Sequence, residues 1–233
     1  MSILQDILNV LATQAIEGAT GKQLDKTAAD LLKFYKVESA FLNYKPGATA
    51  SAEGEGFPNV LCVSINNEVI HGIPDDRKFS WGDVVKLDLG LKDAEGNFDD
   101  GALTVIVGDR AGSANARKVV KATREALEAG IAQAKVGNTT HDIAKAIQAV
   151  AEKYGVAIIE GYGGHGIGKE LHQAPDVPNK PVGNPVKLEA GIRLALEPMF
   201  ATNRGETFVT KDGWTVKVKS GLTAHFERTV TIE

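Results

Sequence analysis

The stretches Gly18-Ala19-Thr20-Gly21-Lys22-Gln23-Leu24 and Gly137-Asn138-Thr139-Thr140-His141-Asp142-Ile143 match at a constant offset. The match continues, with Lys26, Tyr35 and Val37 answering to Lys145, Tyr154 and Val156. In each copy a threonine stands where a helix N-cap belongs, an amphipathic stretch follows, and Tyr-x-Val leads into a strand. Two copies of one long unit, with the same order of elements, imply two related halves and not a solenoid. Two amphipathic helices often resemble each other by chance, but the shared flanks favour a duplication. The expectation is one α+β domain over residues 1–233, with halves at about 1–110 and 111–233.

Outward from the first copy, residues 2–16 carry Ile3, Leu4, Ile7, Leu8 and Leu11 on one helical face. The helix of the copy itself is expected at Gly21–Tyr35, with Leu24, Ala28, Leu31 and Leu32 buried. Residues 45–57 are small and Gly-rich and read as a loop. β-like runs follow at 59–66, 84–92 and 102–107, and the turn Asp93-Ala94-Glu95-Gly96-Asn97 makes the last two a hairpin. Helices are expected at 115–134 and 140–153, then strands at 157–159, 192–200, 208–218 and 224–232.

The bulk composition excludes several classes. A hydrophobic share of 43% and a charged share of 24% are ordinary for a globular chain, and 233 residues can bury a substantial core. The net charge of -4 mixes 26 basic with 30 acidic residues and leaves no basic stripe, so nucleic acid is not an expected partner. The single cysteine, Cys62, excludes an internal disulfide framework and a Cys-based zinc knuckle. No apolar run approaches the roughly 20 residues that span a bilayer. The opening Met1-Ser2-Ile3-Leu4-Gln5-Asp6 has no positive region and does not read as a signal peptide. The cytoplasm is the expected location, without a membrane partner.

Chemistry is carried by acids in apolar strands. Asp88 lies within Val84-Val85-Lys86-Leu87-Asp88-Leu89-Gly90-Leu91, Glu197 within Leu194-Ala195-Leu196-Glu197-Pro198-Met199-Phe200, and Glu227 behind Phe226. An isolated buried carboxylate is costly, so each must pair, protonate or bind a metal. Asp100 opens the return strand of the hairpin and can come beside Asp88. Each alone would be read as paired with Arg or Lys, but four acids without comparable basic partners in those strands shift the balance. In Gly161-Tyr162-Gly163-Gly164-His165-Gly166-Ile167-Gly168-Lys169-Glu170-Leu171-His172, glycines leave His165 accessible. Four carboxylates and one imidazole form a hard donor set, suited to two divalent ions such as Mn, Fe, Co or Zn.

Cys62-Val63-Ser64-Ile65-Asn66, His71-Gly72-Ile73-Pro74, Leu87-Asp88, Gly164-His165-Gly166-Ile167-Gly168, Glu197-Pro198-Met199 and Asp212-Gly213-Trp214-Thr215-Val216 resemble, in order, the motifs of bacterial-type (type I) methionine aminopeptidases. The resemblance runs from about residue 18 almost to the end. It implies the pita-bread fold, two pseudo-twofold-related αββ-type halves forming a curved antiparallel sheet covered by helices, with the metals between them. It implies a single catalytic domain that removes the N-terminal methionine of peptides with a small second residue. Asp88, Asp100, His165, Glu197 and Glu227 match the family's metal ligands, and Glu197 its general base. His71 and His172 match the histidines that contact the scissile peptide. Phe57, Cys62 and Trp214 match positions lining the methionine pocket. Nascent chains near the ribosome and a monomeric state are implied as well.

Other readings stand beside these. Cys62 is equally readable as a small core residue and Trp214 as core filling. His141 reads as a helix-surface residue without chemical function. The rival functions are an Xaa-Pro peptidase of the same fold, which usually carries an additional N-terminal domain, and a non-catalytic binding protein on the same scaffold, which loses ligands. The chain departs from the family in a long 45–56 loop, in Leu171 where an aromatic is common, and in His225 where Gln is usual. It also begins part-way into the family's first helix and stops sooner after the last strand. The hairpin is one residue longer than usual, so Asp99 keeps the family's spacing from Asp88; Asp100 is preferred because it keeps the register of the following strand.

Overall fold

Side-chain caps begin all four helices of the computed structural model, which describes residues 2–45, 56–108 and 111–233. Helix α1 (Ile3–Gln14) starts at Ser2, whose Oγ accepts from the Gln5 N–H at 3.3 Å. At α2 (Gly21–Tyr35), Thr20 Oγ1 accepts from the Gln23 N–H while Gln23 Oε1 accepts from the Thr20 N–H at 2.9 Å. At α4 (Thr140–Tyr154), the Asp142 carboxylate accepts from the Thr139 N–H at 2.8 Å and its hydroxyl at 2.7 Å. The α2 cap is reciprocal, while at α4 both bonds run from Thr139 to the Asp142 carboxylate; each satisfies a donor at the start of its helix. Helices α2 and α4 are 15 residues each and end on left-handed residues, Lys36 (φ 58°) and Gly155 (φ 59°). Thr20 and Thr139 also form matching bridges to Lys78 and Lys187. The two copies thus agree in cap, length, exit and anchor. Helix α3 (Ala114–Gln133) packs on α4 as α1 packs on α2.

The strands are β1 (Glu38–Ser39), β2 (Cys62–Ile65), β3 (Glu68–Ile70), β4 (Val84–Lys92), β5 (Phe98–Ile106), β6 (Ala157–Ile158), β7 (Gly163–Gly166), β8 (Gln173–Pro178), β9 (Arg193–Leu196), β10 (Met199–Ala201), β11 (Thr207–Val209), β12 (Val216–Val218), β13 (Thr223–His225) and β14 (Glu227–Thr231). Eight form one antiparallel sheet in the order β1-β4-β5-β14-β9-β7-β8, with β2 also paired to β4. Two three-stranded sheets, β13-β10-β6 and β11-β12-β3, complete the β structure. Among the described residues, no helix is long and apolar enough to cross a membrane.

Alternation along β4 decides which face receives the site. Val85, Leu87, Leu89 and Leu91 pack under α1 and α2, together with Leu4, Ile7, Leu8, Leu11, Leu24, Ala28 and Leu32. Each fully buried aliphatic side chain contributes roughly 2 kcal/mol, and a one-residue slip would turn all four outward, so the register is strongly held. The opposite face of β4 must then carry Lys86, Asp88 and Gly90. A second core, built from α3 and α4 over Leu194, Leu196, Phe200 and Phe226, supports the other half of the sheet.

Several expected strands are broken in two. The run 192–200 divides at Glu197-Pro198 into β9 and β10, and 224–232 divides at Phe226 into β13 and β14. Proline has no N–H for the ladder, and both strands change sheet at this point. The run 208–218 divides into β11 and β12 around Asp212-Gly213, where Gly213 has φ 79°. Strand β1 follows Tyr35-Lys36-Val37 as the repeat leads one to expect, whereas β3, β7 and β8 were not expected from the sequence. The Gly-rich 45–57 loop falls, for residues 46–55, outside the described residues.

Candidate metal centre

Strand pairing sets the acids in two neighbouring rows on one face. Asp88 pairs with Ala102, and Ala102 pairs on its other side with Glu227. Leu196 faces Arg228 and Met199 faces His225, so the same register carried across the kink sets Glu197 opposite Glu227. The next row begins with Gly90 opposite Asp100. It ends with Ala195, which pairs with Thr229 on one side and His165 on the other. The Thr229 hydroxyl closes this row, accepting from the Asp100 N–H and donating to the Asp100 carbonyl, each at 3.0 Å. Asp88, Asp100 and Glu227 consequently present oxygens all within 4.8 Å of one another, as do the donor atoms of His165, Glu197 and Glu227.

Asp99 stands opposite Leu91, out of step with the acid rows, and its carboxylate lies 3.4 Å from Arg193 Nη2. Of the two aspartates, the structure brings Asp100 to the cluster.

His165 is aimed by its neighbours. Cβ atoms added at Gly164 and Gly166 would strike the carbonyl oxygens of Ala195 and Ala174, so only glycine lets β7 lie this close to its neighbours. Nδ1 of His165 is 2.9 Å from the Gly166 carbonyl, which can only accept, so Nδ1 carries the proton. The Nε2 lone pair therefore faces Glu197 Oε1, at 3.7 Å. Burial holds this imidazole below its ordinary pKa, which keeps it neutral and able to ligate.

The electrostatics suit a cation. Burial raises the Asp88 carboxyl to about 7. Asp100, Glu197 and Glu227 are raised well above the usual range, first by burial and then by one another and Asp88. Asp88 Oδ1 is buried without a hydrogen-bond partner, and so are both ring nitrogens of His225. Four acids that cannot all ionise, an orphaned carboxylate oxygen and an aimed imidazole lone pair fit divalent ions of the first transition row.

The cluster floors a cavity of about 950 Å³. Phe57, Cys62 and Trp214 meet there, with Phe57 and Trp214 edge to face at 5.2 Å and Leu171 buried beside them. Asp212 pins the turn that presents the indole, its Oδ1 accepting from the N–H groups of Trp214 and Thr215 at 2.8 and 2.9 Å. His71 lines the same cavity from a left-handed backbone position, φ 55°, which a non-glycine residue holds only under constraint. Burial lowers its pKa to about 4. His172 is exposed overall, yet its ring lies 4.2 Å from that of His165 and its pKa is pushed down. His225 approaches Glu197 Oε2 at 3.6 Å and Glu227 Oε2 at 3.8 Å. Sequence reasoning missed Tyr44, Phe41 and Tyr162 as cavity residues. Tyr162 could have been noticed, because it stands between glycines two residues before the Gly-His-Gly motif.

The chain matches metallopeptidase family M24 over residues 1–233. It is 42% identical to a methionine aminopeptidase of Aquifex aeolicus, over 99% of this chain and 88% of that one. The crystal structure of the Thermotoga maritima methionine aminopeptidase superposes with a TM-score of 0.91 at 33% identity, covering 99% and 88% of the two chains. A Bacillus anthracis Xaa-Pro dipeptidase shares the pita-bread fold at a TM-score of 0.74 and 16% identity, and this chain covers 55% of it. Fold, acid cluster and kinship over nearly the whole chain agree that this chain belongs to metallopeptidase family M24 and, within it, to the methionine aminopeptidases.

Proposed function

We propose that this enzyme removes the N-terminal methionine from peptides whose second residue is small, using two divalent ions held by Asp88, Asp100, His165, Glu197 and Glu227. The observation that carries the reading is the pair of adjacent rows that converge four buried acids and an imidazole lone pair on one cavity floor. Asp88 and Asp100 come from one half, and His165, Glu197 and Glu227 from the other. The pairing of β5 with β14 across the halves supports treating residues 1–233 as one catalytic domain, divided near residue 110.

When bound, such ions supply Lewis acidity, polarising a carbonyl and lowering the pKa of water. Glu197 takes a proton from the attacking water onto a carboxylate oxygen and passes it to the nitrogen of the leaving amine. His172 donates an N–H to the carbonyl oxygen as negative charge develops there, and neutral His71 contacts the scissile amide. Phe57, Cys62 and Trp214 enclose the methionine side chain, for which an unbranched, polarisable thioether is well shaped. The acidic floor receives the free α-amine, which limits the cut to one residue.

The substrates are methionyl peptides and nascent chains close to the ribosome, met by a cytoplasmic monomer. The test is turnover of Met-Ala-Ser against Leu-Ala-Ser and Xaa-Pro peptides by metal-depleted enzyme, before and after addition of Mn, Co, Fe or Zn. Cleavage of the methionyl peptide only after metal addition supports the proposal. Full activity in protein shown to be metal-free by elemental analysis refutes it.

A further inference from the structure

Tyr44 reaches the reaction centre through His172. Its hydroxyl lies 2.8 Å from His172 Nδ1, and the two rings pack at 5.4 Å between centroids. Its backbone is fastened on both sides. The Tyr44 N–H donates to the Phe41 carbonyl at 2.8 Å, and the Tyr44 carbonyl accepts from the Phe57 N–H at 2.9 Å. The Asn43 N–H donates to the Phe57 carbonyl at 2.8 Å, and Ser39 Oγ holds the N–H groups of Phe41 and Leu42 at 3.1 Å each. Chain positions 41–44 and 57 are thus clipped together, and the phenol leaves that clip pointed at His172.

Chemistry fixes the direction of the contact. A neutral imidazole carries one N–H, and the partner of one nitrogen decides the role of the other. Phenol O–H is the more acidic donor and imidazole nitrogen the better acceptor, so the hydroxyl donates to Nδ1. The proton of His172 then resides on Nε2, which suits a ring whose donor atom lies within 4.8 Å of those of Asp100 and His165. The reverse arrangement would set a lone pair towards the acids and towards an incoming carbonyl oxygen. Burial and the nearby Asp100 raise the Tyr44 pKa, which keeps the phenol protonated.

We infer that Tyr44 is a positioning residue that locks His172 in its Nε2–H tautomer, with the N–H ready for the carbonyl oxygen of the substrate. The inference rests on the role proposed above for His172.

The experiment uses zinc-loaded protein labelled with ¹⁵N at its five histidines, in which two-bond ¹H–¹⁵N correlations distinguish the tautomers. The His172 signals are identified by their loss in His172→Gln. Wild-type protein is expected to show the Nε2–H pattern at His172. Tyr44→Phe is expected to convert it to a tautomer mixture and to lower kcat on Met-Ala-Ser roughly tenfold with KM nearly unchanged, the size of one hydrogen bond. A wild-type His172 protonated on Nδ1, or a Tyr44→Phe enzyme with tautomer and kcat both unaltered, overturns the inference. Wild-type enzyme inert on Met-Ala-Ser would refute the function instead, and the tautomer would still decide the contact.

Discussion

Replacing Asp88 with Asn should make the metal-free protein more stable while it ruins the site. Burial moves the Asp88 carboxyl from its ordinary 3.8 to about 7. The folded state therefore keeps this proton to higher pH than the unfolded chain does. Between about pH 4 and pH 7 the native protein binds more protons, so stability is lost as pH rises through that window. At about 1.4 kcal/mol per pH unit, the loss from this one group approaches 4 kcal/mol above pH 7. His71 and His225 act in the opposite sense. Burial lowers them to about 4 and about 3, so they cost stability as pH falls below 6.5. Both are present in the variant too, and the difference between the two proteins cancels them. Asn has the same shape and no charge, so Asp88→Asn should match the wild type near pH 4 and exceed it at pH 8 by at least about 4 kcal/mol, because removing this charge also eases the ionisation of Asp100, Glu197 and Glu227. In urea that is a midpoint shift on the order of 1–2 M. The assay is equilibrium unfolding in excess chelator at the two pH values, repeated with Mn present. Added Mn should stabilise the wild type and leave the variant nearly unmoved. Equal stability of the two apo-proteins at pH 8 would refute the claim that uncompensated acids strain this fold.

Three further outcomes test the site. Glu197→Gln should lower kcat roughly 100- to 10,000-fold in a protein that still unfolds cooperatively, as measured by peptide turnover and denaturation; an active variant would mean that the base lies elsewhere. Asp100→Asn should weaken Mn binding in a calorimetric titration, whereas Asp99→Asn should leave affinity intact, because its carboxylate is paired with Arg193 and takes no part in the acid cluster; the reverse result would restore the family's spacing. On a Met-Xaa peptide panel, kcat/KM should fall on the order of 100-fold when Xaa passes from Ala to Leu, the cost of displacing the scissile carbonyl by about 1 Å; equal cleavage would remove the small-residue rule.

The elements that were legible in the sequence are those in which one residue type solves a local problem. Thr20 and Thr139 announced α2 and α4 because a cap needs a short acceptor side chain. Asp88 stood out because alternation in β4 leaves a charged group nowhere to go but the cavity. Asp100 followed from register, since the strand after it, and not the turn before it, decides its face. The broken strands were hidden by their composition. Leu194-Ala195-Leu196 and Met199-Phe200-Ala201, on either side of Glu197-Pro198, are uniformly apolar, and periodicity does not reveal that they belong to different sheets. Strands β7 and β8 are rich in Gly and Pro, poor strand formers on their own, and exist because the missing Cβ atoms let neighbouring backbones close in. The Tyr44–His172 contact joins residues far apart in sequence and leaves no local trace.

The meeting of β5 with β14 is also the seam on which the acid cluster depends. Asp88 and Asp100 stand on β4 and β5, and Glu227 sits in β14 between Ala102 and Glu197 in the acid row. Strand β14 is the one that joins β5 to β9 in the large sheet. Parting β14 from β5 would separate Asp88 and Asp100 from His165, Glu197 and Glu227 in a single movement, so the integrity of the cluster and the integrity of this one seam are the same property of the fold.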